Sequence, residues 1–128
     1  MKKLFFLTCI FGALLLAGCS PKHTTNLSTY GKVENQEGTA LQGIAIVTEV
    51  KGFSSLDTVY SNENGEFFSR IKKIPYPIPD VIVTAIDLQG TYQQQSKTPH
   101  YMYECGTGFV PENDCAFPSD EIIFVLSK

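Results

Sequence analysis

The chain has 128 residues, with 10 Lys plus Arg against 13 Asp plus Glu, a formal net charge of −3 and a hydrophobic fraction of 43%. Lys72-Lys73 is the one adjacent basic pair beyond Lys2-Lys3, so the sequence excludes a nucleic-acid partner that is held by a basic patch. The length is that of one domain.

Lys2 and Lys3 are followed by the apolar run Leu4 to Leu16. This is the layout of a secretory signal helix, and the run is shorter than the ~20 residues needed to cross a bilayer. It ends in Leu16-Ala17-Gly18-Cys19. A signal closing in this way resembles the lipobox of bacterial lipoproteins. The resemblance implies that the Cys19 thiol receives a diacylglyceryl group, that signal peptidase II cuts before it, and that the new amine is acylated. Two or more acyl chains hold a protein stably, because each buried CH2 contributes ~0.8 kcal/mol. A transmembrane anchor, or a secretory signal in which Cys19 is incidental, would leave unexplained why charge, apolar run, small residues and cysteine fall in register. Cys9 lies in the discarded segment. Without residues 1–18 the chain keeps 110 residues, and the loss of Lys2 and Lys3 moves its net charge from −3 to −5.

Residues 19–28 are polar and read as a lipidated tether, spanning ~17 Å as a flexible coil. His23 is a solvated residue of this tether. From Thr29 to the C-terminus, short β-type runs alternate with turn signals and no stretch has a helical period. The expected strands begin with Thr29 to Val33. Ile44 to Val50 follows, with Ile44, Ile46, Thr48 and Val50 on one face, and then Asp57 to Ser61 and Glu66 to Ile71. Val81 to Ile86 is nearly all apolar, as in a central strand covered on both sides. Thr91 to Ser96 has the polar bulk of an edge strand, and Glu121 to Leu126 closes the domain. Seven strands in residues 29–128 predict an all-β, antiparallel β-sandwich of the Ig-like kind, with no room for the crossover helices of parallel βαβ units.

Three turns share one pattern: Asn35-Gln36-Glu37-Gly38, Asn62-Glu63-Asn64-Gly65 and Asp87-Leu88-Gln89-Gly90. In each, the Asn or Asp side chain can bond the backbone two residues on, and the glycine supplies positive φ. None has the alternating acidic ligands of a calcium loop, so hairpin turns are expected. Pro75-Tyr76-Pro77-Ile78-Pro79 is a stiff connector crossing between sheets, since proline supplies no ladder donor. Tyr101 and Tyr103 stand two apart and are candidate binding residues. Exposed, they can stack on a sugar ring or a peptide; buried, they belong to the core. The segment Glu104 to Ser119, which carries Phe109, is the longest irregular one, and binding on a rigid sandwich belongs on such a loop.

Cys105 and Cys115 remain once Cys19 is assigned. In an oxidising exported compartment they read first as a disulfide, worth about 2.5–3 kcal/mol in the chain-entropy model. A metal site joining His100, Cys105 and Cys115 fits none of the short Cys-x2–4-Cys spacings of structural zinc, and free thiols are the third reading. No metal or other cofactor is expected.

Tyr30-Gly31-x-Val33, Gly38-x3-Gln42-Gly43-Ile44-x-Ile46 and Thr58-x2-Ser61-Asn62-x2-Gly65-x-Phe67 resemble the carboxypeptidase regulatory-like, transthyretin-like domains over Tyr30 to Tyr92. Leu41 stands where that family commonly has proline, Gln42 where it has small or variable residues, and Ser61-Asn62 where it has Thr-Asp. The resemblance implies a seven-strand sandwich used as an accessory or interaction module. The Tyr-Gly start, lipobox and length also resemble lipoproteins of Bacteroidetes encoded beside radical SAM enzymes, which implies an envelope lipoprotein and an accessory or substrate role. Transthyretin-like hydroxyisourate hydrolases need histidines, an arginine and a Tyr-Arg-Gly-Ser C-terminus. This chain ends Val125-Leu126-Ser127-Lys128 and has one arginine, Arg70. No Gly-x-Ser-x-Gly elbow, His-Glu-x-x-His or phosphate loop occurs, and Asp120-Glu121, adjacent in a strand, would point to opposite faces. The expected function is therefore a non-catalytic, lipid-anchored module binding an envelope protein or a glycan. The alternatives are a structural lipoprotein pairing through its edge strands, and an accessory of a neighbouring enzyme. Ser20-Pro21-Lys22-His23 lacks the acidic residues of surface-exported lipoproteins, which places the expected site at the outer membrane, facing the periplasm.

Overall fold

The computed structural model describes residues 24–53, 56–75, 78–103 and 116–128. Cys19, the signal segment, His23, Cys105, Phe109 and Cys115 lie outside the described residues. Those residues form nine strands and no helix: β1 Thr24–Asn35, β2 Ala45–Val50, β3 Leu56–Tyr60, β4 Glu66–Pro75, β5 Val81–Ile86, β6 Gln95–Lys97, β7 Tyr101–Tyr103, β8 Ala116–Pro118 and β9 Ile122–Leu126. They build two packed sheets. The five-stranded sheet runs β4-β1-β8-β7 with β9 also on β1, and the four-stranded sheet runs β3-β2-β5-β6. The all-β sandwich expected from the alternation is the fold, and the seven expected strands are joined by β7 and β8.

The long first strand organises the molecule. Thr25, Leu27, Thr29, Gly31 and Val33 alternate inward along it. It begins at Thr24 rather than Thr29, because β4 continues to Pro75 and pairs Thr24 with Pro75 and Thr25 with Ile74. Residues 24–28, expected in the tether, are therefore part of the sheet. Only Leu27 among them is plainly apolar. Threonine, whose branched side chain suits a half-buried strand, carries the rest of the inward face. The sheet is also not wholly antiparallel. β9 runs parallel to β1 from Gly31 opposite Ile122 to Asn35 opposite Leu126, and β8 meets β1 in parallel at Leu27 and Ala116. Alternation reports which face a residue occupies and carries no information on strand direction. Gly31 is required where β1, β4 and β9 meet, since a Cβ there would overlap the Ile122 carbonyl oxygen and the Phe67 ring. Phe67 in turn packs on Phe124, with ring centroids 6.2 Å apart.

In the second sheet, Ile44, Ile46, Thr48 and Val50 face the core as their spacing predicts. β5 lies between β2 and β6, but it is not covered on both sides. Val81, Val83 and Ala85 are buried, while Ile82, Thr84 and Ile86 on the other face are only half-buried. The edge character of the Thr91 to Ser96 region is retained in β6, which is short and begins only at Gln95, because Asp87 holds Thr91 and Tyr92 in the preceding turn.

All three Asx-Gly turns have the expected chemistry. Asn35, Asn62 and Asp87 each accept the N–H two residues on, at 3.0 Å. They also accept the N–H four residues on, at 2.9 Å. Gly38, Gly65 and Gly90 have φ of 81°, 74° and 77°. Only the third lies within one sheet, between β5 and β6. The first and second carry the chain between sheets, from β1 to β2 and from β3 to β4, so they are not hairpins of a single sheet. The connector containing Pro79 also joins one sheet to the other, as expected.

Both flanks of the sandwich are clasped. Ser69 in β4 donates to the Asp57 carboxylate in β3. On the opposite flank Lys97 donates to the Ile123 carbonyl, and Gln93 N–H to the Ser127 carbonyl at 2.8 Å.

Candidate functional site

Along the β6–β7 flank, at the end where β1 begins, the two sheets part around a cleft of ≈ 500 Å³. Its walls come from separate stretches: Ile78 to Asp80 of the connector and Val81 of β5 on one side, Thr98 to His100 and Tyr101 and Tyr103 of β7 on the other. Strand alternation turns both tyrosines to the same side, half-buried against the core, and leaves Met102 on the outer face, 39% exposed. This settles the reading left open by the sequence. The rings belong to the core margin and to the cleft wall together.

Tyr101 is fixed in place. Its hydroxyl and Thr29 Oγ1 are 2.8 Å apart across the sheet, and burial pushes its phenol up from 10.0 to about 12, with the Thr29 bond acting weakly the other way. The stretch Thr98 to His100, on the same wall, is pinned as well. The His100 carbonyl accepts the Ser119 N–H at 2.9 Å and the Ser119 hydroxyl at 3.2 Å. Thr98, Pro99 and His100 also border a second cleft, ≈ 260 Å³, lined further by Lys97, Asp120 and Glu121. Thr98 to His100 thus form a ridge between an aromatic cleft and a charged one.

The larger cleft has the size and the mixed lining of a ligand site. Two tyrosines and aliphatic carbons offer flat apolar contact, while Asp80, Thr98 and His100 supply an acceptor, a hydroxyl and an imidazole. Such walls suit a sugar ring or an extended peptide segment, each flat on one face and rich in hydrogen-bonding groups. Among the described residues no group of three or more His, Cys, Asp or Glu could hold a metal ion.

Of the sequence-derived candidates, Tyr101 and Tyr103 come together here, whereas Phe109, Cys19, Cys105 and Cys115 lie outside the described residues. Asp80, Pro79, Thr98 and Pro99 were not legible as lining. Their only signal in the sequence is proline flanking the β5 and β7 runs, and His100 stands out there only as a metal-ligand candidate. No protein-family model matches the chain, and no curated protein or solved structure resembles it significantly.

Proposed function

We propose that this chain is a lipid-anchored, non-catalytic interaction module of the bacterial cell envelope, binding an envelope protein or glycan in the cleft beside β7. The observation that carries the reading is the pair Tyr101 and Tyr103 in one cleft wall, with Asp80, Thr98 and His100 around them. The anchor rests on the lipobox-like Leu16-Ala17-Gly18-Cys19, and the accessory role draws on the likeness to carboxypeptidase regulatory-like domains. The tether without acidic residues favours the periplasmic face of the outer membrane.

The test uses the full chain in cells, with a photo-crosslinking residue at Thr98, together with binding of extracted envelope polysaccharide. The expected result is a discrete adduct or a retained polysaccharide that Tyr103→Ala weakens at least about tenfold, the loss of ~1.4 kcal/mol or more. Leu88→Ala, on the exposed third turn, should leave it unchanged. Cys19→Ser should release the chain from the membrane fraction. Unchanged binding in Tyr103→Ala would remove the cleft, and membrane retention of Cys19→Ser would remove the lipid.

A further inference from the structure

The edges of the two sheets are not equally guarded. β4 carries an irregularity opposite Thr25 to Leu27, where Lys73 takes a φ of 60° and two lysines stand on the strand. A bulge and lysines are the usual protection of an edge. β6 and β7 are three residues each; β9, which among the described residues pairs only with β1, has its Ile123 carbonyl taken by Lys97 of β6 and the Ser127 carbonyl just past its end taken by the Gln93 N–H. β3 differs. It is five residues, Leu56-Asp57-Thr58-Val59-Tyr60, with no proline, lysine or bulge, and among the described residues only β2 pairs with it.

Its backbone direction follows from the hydrogen bonds at its end. Ser61 N–H donates to the Ile44 carbonyl at 3.0 Å, and Gly43 N–H to the Ser61 carbonyl at 2.9 Å, so Ser61 faces β2. The register from Tyr60 opposite Ala45 to Leu56 opposite Glu49 is unbroken. By alternation Val59 and Asp57 also face β2, and the N–H and C=O groups of Leu56, Thr58 and Tyr60 point outward along the free edge. The side chains of these same three residues lie on the outer face, with Leu56 61% and Tyr60 59% exposed.

We propose that β3 is the contact of a symmetric homodimer, two copies pairing antiparallel with the two-fold axis at Thr58. The strand is its own complement in this register. Thr58 meets its counterpart, exchanging both backbone bonds, and Leu56 of each copy meets Tyr60 of the other, an aliphatic–aromatic cross-strand pair. Asp57, whose inward-pointing charge is the one guard on this edge, already has its carboxylate engaged by Ser69. In this register it lies opposite the second copy's Val59, so the two carboxylates do not face each other directly. The pairing is isologous and closes at two copies, joining two four-stranded sheets into one of eight strands.

Thr58→Cys in the full chain tests the geometry, because directly opposed residues of a bonded pair lie ~5.5 Å apart at Cα, within disulfide reach. The expected result is a disulfide-linked band of twice the mass on a non-reducing gel. Thr84→Cys, on the same outer face but two strands inward, should give none. Thr58→Lys and Thr58→Glu should each sediment as monomer in detergent, and a mixture of the two should recover a heterodimer. The proposal is overturned by a monomeric wild-type chain, by Thr58→Lys leaving a dimer intact, or by the cysteine at position 58 bonding a different protein.

Discussion

Tyr101 ties the cleft to the core, and its phenol makes that coupling measurable. Burial favours the neutral form, so the folded pKa of about 12 stands above the ordinary phenol value of 10.0. The folded state therefore holds this proton more tightly than the unfolded chain does. The associated stability is complete below about pH 10 and is lost as pH rises from there through about 12, amounting to ~2–3 kcal/mol at ~1.4 kcal/mol per pKa unit. Tyr101→Phe keeps the ring and removes the titrating group. Its stability should fall less between about pH 9 and about pH 12 than that of the wild type, as read by urea unfolding. Near neutral pH the same substitution should cost about 1 kcal/mol, because Thr29, 1% exposed, loses its partner. Parallel loss of stability with pH in the two proteins would show that Tyr101 is not the group responsible.

At the scale of elements, the three turns are variations with different acceptor demands. Asn35 and Asn62 serve two N–H groups through a single oxygen, Oδ1. Asp87 divides three between two oxygens: Gln89 on Oδ1, and Thr91 and Tyr92 on Oδ2. Replacing one Asp87 oxygen by an amide NH2 sets donor against donor. Asp87→Asn is therefore expected to cost ~1–2 kcal/mol, and Asn62→Asp less than ~0.5 kcal/mol, since its working oxygen is retained. Thermal unfolding of both variants checks this, and equal losses would contradict the accounting. These turns were legible because Asx and glycine act within five consecutive residues, and the inward face of β2 because alternation there is unbroken and carries even Thr48 to the core. β7 and β8 are too short to show any alternation, and the first half of β1 hides its inward face in threonines. The parallel pairing of β1 and β9 joins opposite ends of the chain, which no local pattern encodes. The candidate site divides in the same way. Its two tyrosines stand out in one short run, whereas Asp80 and Thr98 join them only once the sheets are packed.

The whole molecule has two unlike ends. Thr24, Pro75, Val81 and His100 gather at one, which holds the cleft. The three Asx turns and the C-terminal strand end gather at the other, where Val33 N–H bonds the Gly65 carbonyl at 2.7 Å and Gln93 N–H the Ser127 carbonyl at 2.8 Å. β1, 12 residues long, spans the distance between them, ~40 Å at ~3.3 Å per residue. With lipid on Cys19 as proposed, the five residues that lead to Thr24 reach at most ~18 Å, so the cleft end is held close to the bilayer and the turn end stands away from it. Bulk at the membrane surface then decides access. In membranes carrying the full chain, a polymer-linked maleimide should modify Thr98→Cys more slowly than Gln89→Cys, both exposed positions, with the unsubstituted chain as blank. A small maleimide should modify the two at similar rates. Adding Cys19→Ser should free the chain and abolish the difference for the large reagent. Equal rates with the large reagent on intact membranes would mean that the cleft does not face the bilayer, and its ligand would then be sought beyond the membrane surface.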